Sequence, residues 1–280
     1  MKRIVSIQDI SCVGKCSLTV ALPIISAAGV ECGIVPTAVL STHTAFEGFT
    51  FDDLTDQIEP ISAHWQKLGL GFDAIYTGYL GSYEQLDLVS DFFDAHSTSD
   101  NLVFVDPAMG DYGKLYPGFT PEFAVAMGKK VCSKADVIVP NMTEASFMLE
   151  VPFVQDGAYD EAYVKDMLVK LTGLGCQKAV ITGVMLEPGK CGFYGYDAKT
   201  GEYFSYFNDY VDAKFHGTGD IFSSAAVGAL MNGKTLDESL AIAADYTVAC
   251  IKETVANPQH NWYGTDFESQ IPYYLKRLGK

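Results

Sequence analysis

The chain has 280 residues, of which 48% are hydrophobic and 19% are charged. This balance is typical of a folded globular protein and excludes disordered, collagen-like and low-complexity chains. The 19 basic and 35 acidic residues give a formal net charge of -16, and a field of that sign repels nucleic-acid backbones and anionic lipid surfaces. We therefore expect no nucleic-acid partner.

No apolar stretch approaches the roughly 20 residues that a membrane-spanning helix needs. The N-terminus carries Lys2 and Arg3, but Asp9 interrupts its short apolar stretch, so a secretory signal is not expected. The seven cysteines show no paired two-residue spacing of the zinc or thioredoxin type. We expect them to be reduced core residues, and we expect the protein to be cytoplasmic without membrane contact.

Short apolar runs alternate with longer amphipathic segments, a pattern typical of repeated strand–helix units and a mainly parallel sheet. Candidate strands lie at 3–8, 34–40, 74–77, 102–106, 137–139, 179–182, 192–196 and 203–207. Residues 197–202 have the composition of a hairpin turn. We therefore expect the sheet to end in antiparallel strands.

Candidate helices lie at 17–28, 54–68, 84–95, 121–131, 143–149, 160–172, 220–231, 236–254 and 266–278. Thr143, with Ser146 three residues later, is predicted to cap the fifth of these. No linker rich in Pro, Gly or Ser divides the chain, and no internal repeat is present, so we predict one domain over 1–280. Residues 41–53 are rich in Thr, Gly and Phe and are predicted to form a flap over a site.

The sequence Gly217-Thr218-Gly219-Asp220 directly precedes the apolar segment 221–231. Two glycines allow a tight turn, and the N–H groups of a helix start can bind an anion. The sequence lacks the Lys of a Walker P-loop and the third Gly of a dinucleotide fingerprint, so a phosphate cradle and a plain helix start are both open. Asp220 is suited to accept the proton of a hydroxyl that attacks phosphorus; the alternative is that it only caps the helix.

Polar side chains also follow two candidate strands. Asp106 ends the fourth strand and Asp111 follows it, and Asn141 and Glu144 come after the fifth. Ligands of open α/β sheets bind beyond the carboxyl ends of strands, and hard oxygen ligands suit Mg²⁺, usually through retained waters and substrate phosphates. Together these residues predict a metal–nucleotide site, whereas each alone is equally consistent with a solvated loop carboxylate.

In this order, the motifs resemble those of the pyridoxal kinase branch of the ribokinase-like superfamily. The resemblance covers most of the chain and rests on Ile7-Gln8, Ser41-Thr42-His43-Thr44, Thr77-Gly78-Tyr79-Leu80-Gly81-Ser82, the run from Asp106 to Asp111, Pro140-Asn141 with Glu144, Val180-Ile181-Thr182, and Asp212-Ala213 leading into the Gly217 to Asp220 motif. It implies a three-layer α/β sandwich with a mostly parallel central sheet, helices on both faces and an antiparallel edge. It also implies a homodimer.

The activity that the resemblance implies is ATP-dependent phosphorylation of the hydroxymethyl group of a small-molecule substrate: pyridoxal, pyridoxamine or pyridoxine. Asp220 would be the general base, and the amides of Gly217, Thr218 and Gly219 would receive the charge growing on the transferred phosphoryl group. The residues implied to hold magnesium, directly or through water, are Asp106, Asn141 and Glu144. Those implied at the nucleotide phosphates are Asp111, Tyr116 and Thr182. Those implied around the vitamin are His43, Thr44, Tyr79 and Cys16.

Two residues depart from the family pattern. Asp9 stands where many pyridoxal kinases have a serine, and its charge could pair with a protonated pyridine nitrogen or a substrate amine. This favours pyridoxamine, or equally indicates another alcohol such as hydroxymethylpyrimidine or a sugar. Val139 replaces a threonine that often contacts a monovalent cation, so a potassium requirement is left open.

Several alternatives remain from the residues themselves. His43 could be a structural histidine, and Tyr79 could be a core aromatic residue. A catalytically silent sensor of ATP or vitamin B6 is a second function class, although the intact Asp220 speaks against it. An NAD-dependent dehydrogenase is excluded, because Gly14 stands alone after the first strand. Lys214, His216 and the segment 261–267 receive no role.

Overall fold

The computed structural model describes all 280 residues. Its strands are β1 (Arg3–Ser11), β2 (Glu31–Leu40), β3 (Phe51–Asp53), β4 (Ala74–Thr77), β5 (Leu102–Val105), β6 (Gly110–Asp111), β7 (Lys114–Leu115), β8 (Val137–Ile138), β9 (Lys178–Val184), β10 (Lys190–Asp197) and β11 (Glu202–Asp209). Its helices are α1 (Leu18–Ala27), α2 (Thr55–Lys67), α3 (Tyr83–His96), α4 (Pro121–Lys130), α5 (Met142–Met148), α6 (Glu161–Thr172), α7 (Thr218–Met231), α8 (Leu236–Ala256) and α9 (Ile271–Leu278).

The chain packs as two compact units. Unit 1 comprises Met1–Gly78 and Val211–Lys280, and unit 2 comprises Tyr79–Tyr210. The description of 1–280 as one domain stays a prediction.

The strands of unit 1 are arranged around β1. This strand lies between β2 and β4 and runs parallel to both, while β3 pairs antiparallel with β2. Every residue from Ile4 to Asp9 is buried, so both faces of β1 are covered, as expected for a strand in a parallel sheet. Helix α1 packs on β1 and β2, and α2 packs on β2. The carboxyl end of β1 therefore carries Asp9 and the loop that follows it to one edge of this sheet.

Helix α7 is buried along most of its length. Every residue from Ile221 to Ala229 is buried, which is the environment expected for a helix that is apolar on all sides. The helix packs against α1 and α8, and the Tyr274 hydroxyl donates to the carbonyl oxygen of Ala225 at 2.8 Å. These contacts fix the axis of α7 and, with it, the position of its first turn.

The strands of unit 2 form both parallel and antiparallel pairs. Strands β5, β8 and β9 run parallel, and β10 and β11 follow antiparallel. Helix α5 packs on β9, and α6 packs on β9 and β10. The predicted fold class is therefore confirmed: a mostly parallel sheet with an antiparallel edge pair and helices around it.

The elements differ from the prediction in a few places. Strand β3 lies inside the predicted flap, and the small β6–β7 hairpin was not foreseen. The last helix begins at Ile271, not at residue 266, and Pro272 lies in its first turn, where the missing N–H costs no helical hydrogen bond. Helix α5 begins at Met142 with Asn141 as its cap, so the prediction that Thr143 is the cap is wrong.

All seven cysteines are free. Cys132, Cys176 and Cys250 are buried, but Cys12 is exposed in the loop after β1, so the prediction of a core position is wrong for Cys12. None of the helices combines the length and the hydropathy that crossing a bilayer requires.

Candidate functional site

A glycine turn at the start of α7 packs against the β1–α1 loop, residues 12–17. Gly217 has φ +78°, and a Cβ at this position would collide with the carbonyl oxygen of Lys15, so the turn requires glycine. No side chain caps α7. The N-cap residue is a glycine, so it offers no side-chain oxygen to the first N–H groups of the helix, where the positive end of the dipole lies. This is the backbone arrangement of an anion-binding helix start.

Asp220 lies in the first turn of α7 and is half-buried. Burial raises the pKa of the Cys16 thiol, and the charges of Asp220 and Asp9 raise it further. A thiol in this environment stays protonated at neutral pH. Three residues predicted from sequence, Asp9, Cys16 and Asp220, are thus neighbours in unit 1.

The Asp9 carboxylate is buried and accepts hydrogen bonds from two serine hydroxyl groups. Ser11 Oγ donates to Oδ2 at 2.8 Å, and Ser17 Oγ donates to Oδ1 at 2.6 Å. Burial raises the pKa of Asp9, and the two hydroxyl donors act in the opposite direction. The side chain therefore connects the end of β1 to Ser17, the residue that precedes α1.

The β1–α1 loop is strained. Lys15 and Ser17 both have φ +53°, a left-handed conformation that costs a residue with a Cβ about 1–2 kcal/mol. Lys15 Nζ lies 2.9 Å from Asp266 Oδ1 and 3.0 Å from Glu268 Oε2. Burial alone would lower the pKa of Lys15, but the hydrogen bonds to these carboxylates raise it above its ordinary value. The loop is thus held at Ser17 by Asp9 and at Lys15 by this ion-pair cluster.

His43, in the predicted flap, is engaged at both ring nitrogens. Nδ1 accepts from the backbone N–H of Ala45 at 3.2 Å, which leaves the proton on Nε2 for donation to the carbonyl oxygen of Tyr263 at 3.0 Å. These contacts favour the structural interpretation of His43, and a vitamin contact through its ring stays a prediction. Thr44 beside it is exposed.

In unit 2, Asn141 and Glu144 form a capping box at the start of α5. Asn141 Oδ1 accepts from the Glu144 N–H at 3.0 Å, and Glu144 Oε2 accepts from the Asn141 N–H at 2.8 Å. The other carboxylate oxygen, Oε1, accepts from the Met109 N–H at 3.1 Å, and Asn141 Nδ2 donates to the carbonyl oxygen of Gly110 at 2.8 Å. The two predicted metal ligands therefore also hold the segment after β5 against α5.

The predicted nucleotide residues surround the same helix start. The β6–β7 hairpin carries Asp111, and the Gly113 N–H donates to Thr143 Oγ1 at 2.9 Å. The Tyr116 N–H donates to the carbonyl oxygen of Met109 at 2.8 Å, and Thr182 forms a parallel bridge with Asn141. The structure thus brings Asp111, Tyr116 and Thr182 close to Asn141 within unit 2.

Two buried carboxylates in unit 2 repel each other. Burial raises the pKa of Glu144 well above its ordinary value, and the nearby charges of Asp106 and Asp111 raise it further. No three His, Cys, Asp or Glu side chains converge closely enough to hold a metal ion by themselves. Since both Glu144 oxygens already accept backbone N–H groups, the donor set fits Mg²⁺ that keeps much of its water shell.

Tyr79, the remaining predicted substrate residue, belongs to unit 2. Its half-buried ring lies 5.4 Å from that of Phe119, centroid to centroid. Phe119 is half-buried as well, so the core interpretation and a stacking role toward a pyridine ring both stay predictions.

Sequence reasoning missed the residues that support the loop and the flap in unit 1. These are Ser11, Ser17 and Lys15 in or beside the loop, and Tyr263 and Asp266 near the C-terminus. The aromatic cluster at 261–267 was noticeable in the sequence, but its contacts with residues near the N-terminus leave no local signal.

In an α/β fold, a glycine turn before a buried helix is typical of proteins that bind phosphate groups. The family model described as phosphomethylpyrimidine kinase matches residues 25–263. The chain belongs to this family.

Named relatives agree with the family. Pyridoxine kinase of Bacillus subtilis is 31% identical over 66% of this chain and 66% of its own length, slightly less than two thirds of that protein. A candidate phosphomethylpyrimidine kinase of Bacteroides thetaiotaomicron, solved with pyridoxal, is 39% identical with a TM-score of 0.91, over 98% of this chain and 95% of that one. Pyridoxal kinase of Lactobacillus plantarum is 30% identical with a TM-score of 0.89, over 99% and 97%. The resemblance to pyridoxal kinases and the enzyme class of kinase are confirmed.

The substitution Gly217→Ala tests the contact between the turn and the loop. We expect it to lower the free energy of unfolding by about 1–3 kcal/mol more than Gly233→Ala, because overpacking against a fixed backbone adds to the backbone strain. Gly233 is the matched control, since it follows the same helix at φ +80° and a Cβ added there would meet nothing within 4 Å. Urea unfolding of both variants measures the difference, and equal losses would contradict the collision.

Proposed function

We propose that this protein transfers the terminal phosphoryl group of ATP to the hydroxymethyl group of a vitamin B6 vitamer, pyridoxamine or pyridoxal. The family, together with relatives named pyridoxal and pyridoxine kinase, supports the reaction class. The Bacteroides relative solved with pyridoxal supports the kind of substrate. The observation that carries the proposal is the uncapped first turn of α7, with Asp220 beside its N–H groups.

Asp220 acts as the general base in this proposal. Its carboxylate accepts the hydroxymethyl proton as the oxygen attacks the γ-phosphorus, an O–P bond forms, and the bond from that phosphorus to the β–γ bridging oxygen breaks to release ADP. The positive end of the α7 dipole favours a carboxylate in the first turn of the helix.

The backbone amides of Gly217, Thr218 and Gly219 stabilise the charge that develops on the transferred phosphoryl group. Donors already oriented toward that charge lower the barrier, because they need no reorganisation during the reaction. The missing side-chain cap supports this role, since a capping oxygen would occupy the same N–H groups.

Magnesium belongs to the proposal as the ion that neutralises the nucleotide phosphates. Asp106, Asn141 and Glu144 would hold it largely through its waters, since the oxygens of the capping box already have backbone partners. Bound there, Mg²⁺ would screen the phosphate charge. Asp111 and Tyr116, which are exposed, and the half-buried Thr182 are proposed to contact the nucleotide.

The vitamin is proposed to contact Asp9, Cys16, His43, Thr44 and Tyr79. Among these, Asp9 accepts hydrogen bonds from serine hydroxyls at both carboxylate oxygens. The effect of its negative charge on which vitamer is preferred is the most specific part of the proposal. A second candidate substrate is hydroxymethylpyrimidine, favoured by the description of the matching family. A homodimer stays a prediction.

An ATP-coupled assay with pyridoxal, pyridoxamine, pyridoxine and hydroxymethylpyrimidine tests the substrate class. We expect the highest kcat/KM with a B6 vitamer, and we expect Asp9→Asn to reduce any preference for pyridoxamine over pyridoxal, because it removes the charge that attracts an amine. A higher kcat/KM for the pyrimidine or for a sugar would overturn the substrate assignment.

The substitution Asp220→Asn tests the general base. We expect kcat to fall by roughly 10²–10⁴-fold, with substrate binding retained in calorimetric titration, because the amide keeps the shape and loses the basicity. Asp237→Asn is the control, since Asp237 also lies in the first turn of a helix. A protein that only senses its ligands would show no turnover in the wild type and no change in binding.

Removal of magnesium tests how phosphate charge is neutralised. We expect chelation to abolish turnover and Lys214→Ala to reduce kcat/KM only a few-fold, because oriented amides and the cation carry the neutralisation. Lys214 is the suitable comparison, since it is an exposed cation three residues before Gly217. The reverse ranking of the two effects would reject this account.

A further inference from the structure

The C-terminal segment 257–268, called here the strap, contacts both the β1–α1 loop and the flap in unit 1. The Asp266 N–H donates to Thr254 Oγ1 at 2.8 Å, and Asn257 Nδ2 donates to Asp266 Oδ2 at 3.0 Å. The Asp266 side chain is therefore fixed from the α8 side before it meets Lys15. Residues 261–267, to which the sequence assigned no role, form the middle of the strap.

Lys15 is the residue through which the strap holds the loop. Its ammonium group lies within 3.0 Å of carboxylate oxygens of Asp266 and Glu268 and is only 17% exposed. A Cβ at Gly264 would lie 2.6 Å from the Cβ of Lys15, so the strap backbone also passes directly over the Lys15 side chain. Both contacts hold Lys15 in its left-handed conformation, which an unsupported lysine rarely adopts.

The backbone of Lys15 touches the glycine turn on its other side. Its carbonyl oxygen is the atom with which a Cβ at Gly217 would collide. A change in the Lys15 conformation would therefore move the surface against which the first turn of α7 is packed. The neighbouring Cys16 would move as well, and with it the surroundings of Asp220.

The flap depends on the same strap. The His43 ring donates to the carbonyl oxygen of Tyr263, and the rings of Phe46 and Trp262 pack with centroids 4.6 Å apart. The His43 N–H donates in turn to the carbonyl oxygen of Val13 in the β1–α1 loop at 3.2 Å. Loop, flap and strap thus form one connected set of contacts.

We infer that Lys15 is a positioning residue, whose ion pairs with Asp266 and Glu268 hold the β1–α1 loop in the conformation that supports the glycine turn at Gly217. The role of the turn in phosphoryl transfer rests on the proposed function; the role of Lys15 in holding the loop does not. Lys15 itself touches no reacting atom, because its ammonium group is bound to the strap.

The variants Lys15→Met and Lys15→Arg test this inference, with Lys178→Met as the control. Lys178 forms a part-buried ion pair with Asp197 at 2.8 Å in unit 2. Lys178→Met therefore also removes an ion pair, but one that does not involve the β1–α1 loop or the strap. Amide hydrogen exchange of residues 12–17 and 43–46 reports the loop and the flap directly. Steady-state kinetics with the preferred vitamer report whether the glycine turn at Gly217 still supports phosphoryl transfer.

For Lys15→Met we expect faster exchange confined to these two segments and a kcat lowered by roughly 10–100-fold with KM changed far less. Lys15→Arg should keep both values near those of the wild type, because it retains the ion pairs, and Lys178→Met should change neither. Wild-type exchange in Lys15→Met, or faster exchange spread evenly over unit 1 with a matching fall in Tm, would overturn the inference. Should the wild type phosphorylate no vitamer, the proposed function fails, and the exchange measurement alone then decides the role of Lys15.

Discussion

The contact between Gly217 and the carbonyl oxygen of Lys15 is the constraint on which the candidate site of unit 1 depends. It explains why the turn requires glycine, and it places the loop where a capping side chain would otherwise reach the first turn of α7. The helix that follows the turn fixes it as well, because α7 is buried from Ile221 to Ala229. A helix start held on both sides presents its N–H groups in one orientation, and such preorganisation is the condition for stabilising a developing charge.

Residues chosen from sequence for their chemistry prove to have structural partners too. Glu144 and Asn141 close a capping box and hold the segment after β5, and Asp9 connects β1 to Ser17. A side chain fixed by such hydrogen bonds offers its remaining lone pairs in a defined direction, which is how outer contacts orient metal and substrate ligands. The structural role shown by these contacts is therefore compatible with the chemical role proposed for the same side chains.

Periodicity predicted most helices and strands because buried faces repeat along the chain, and the glycine motif predicted the start of α7 within two residues. The features that periodicity and the motif could not predict have identifiable causes. Nothing in the identity of Lys15 or Ser17 indicates a positive φ, since tertiary contacts impose it. Lys15 and Asp266 lie 251 positions apart, so no local pattern pairs them. The capping box of Asn141 and Glu144 was missed, although a capping residue followed three positions later by Glu is its signature.

The strongly acidic composition becomes intelligible from these contacts. At a net charge of -16, a phosphate group is repelled unless a local field overcomes that repulsion. Lys15, whose backbone supports the turn, has its ammonium group engaged by two carboxylates. Backbone N–H groups supply a positive potential without net charge and do not titrate, so they serve equally well in an acidic chain. Their effect depends on orientation alone. An anion site made of amides therefore depends on an accurate backbone conformation and not on side-chain charge. The strained loop and the strap hold that backbone conformation.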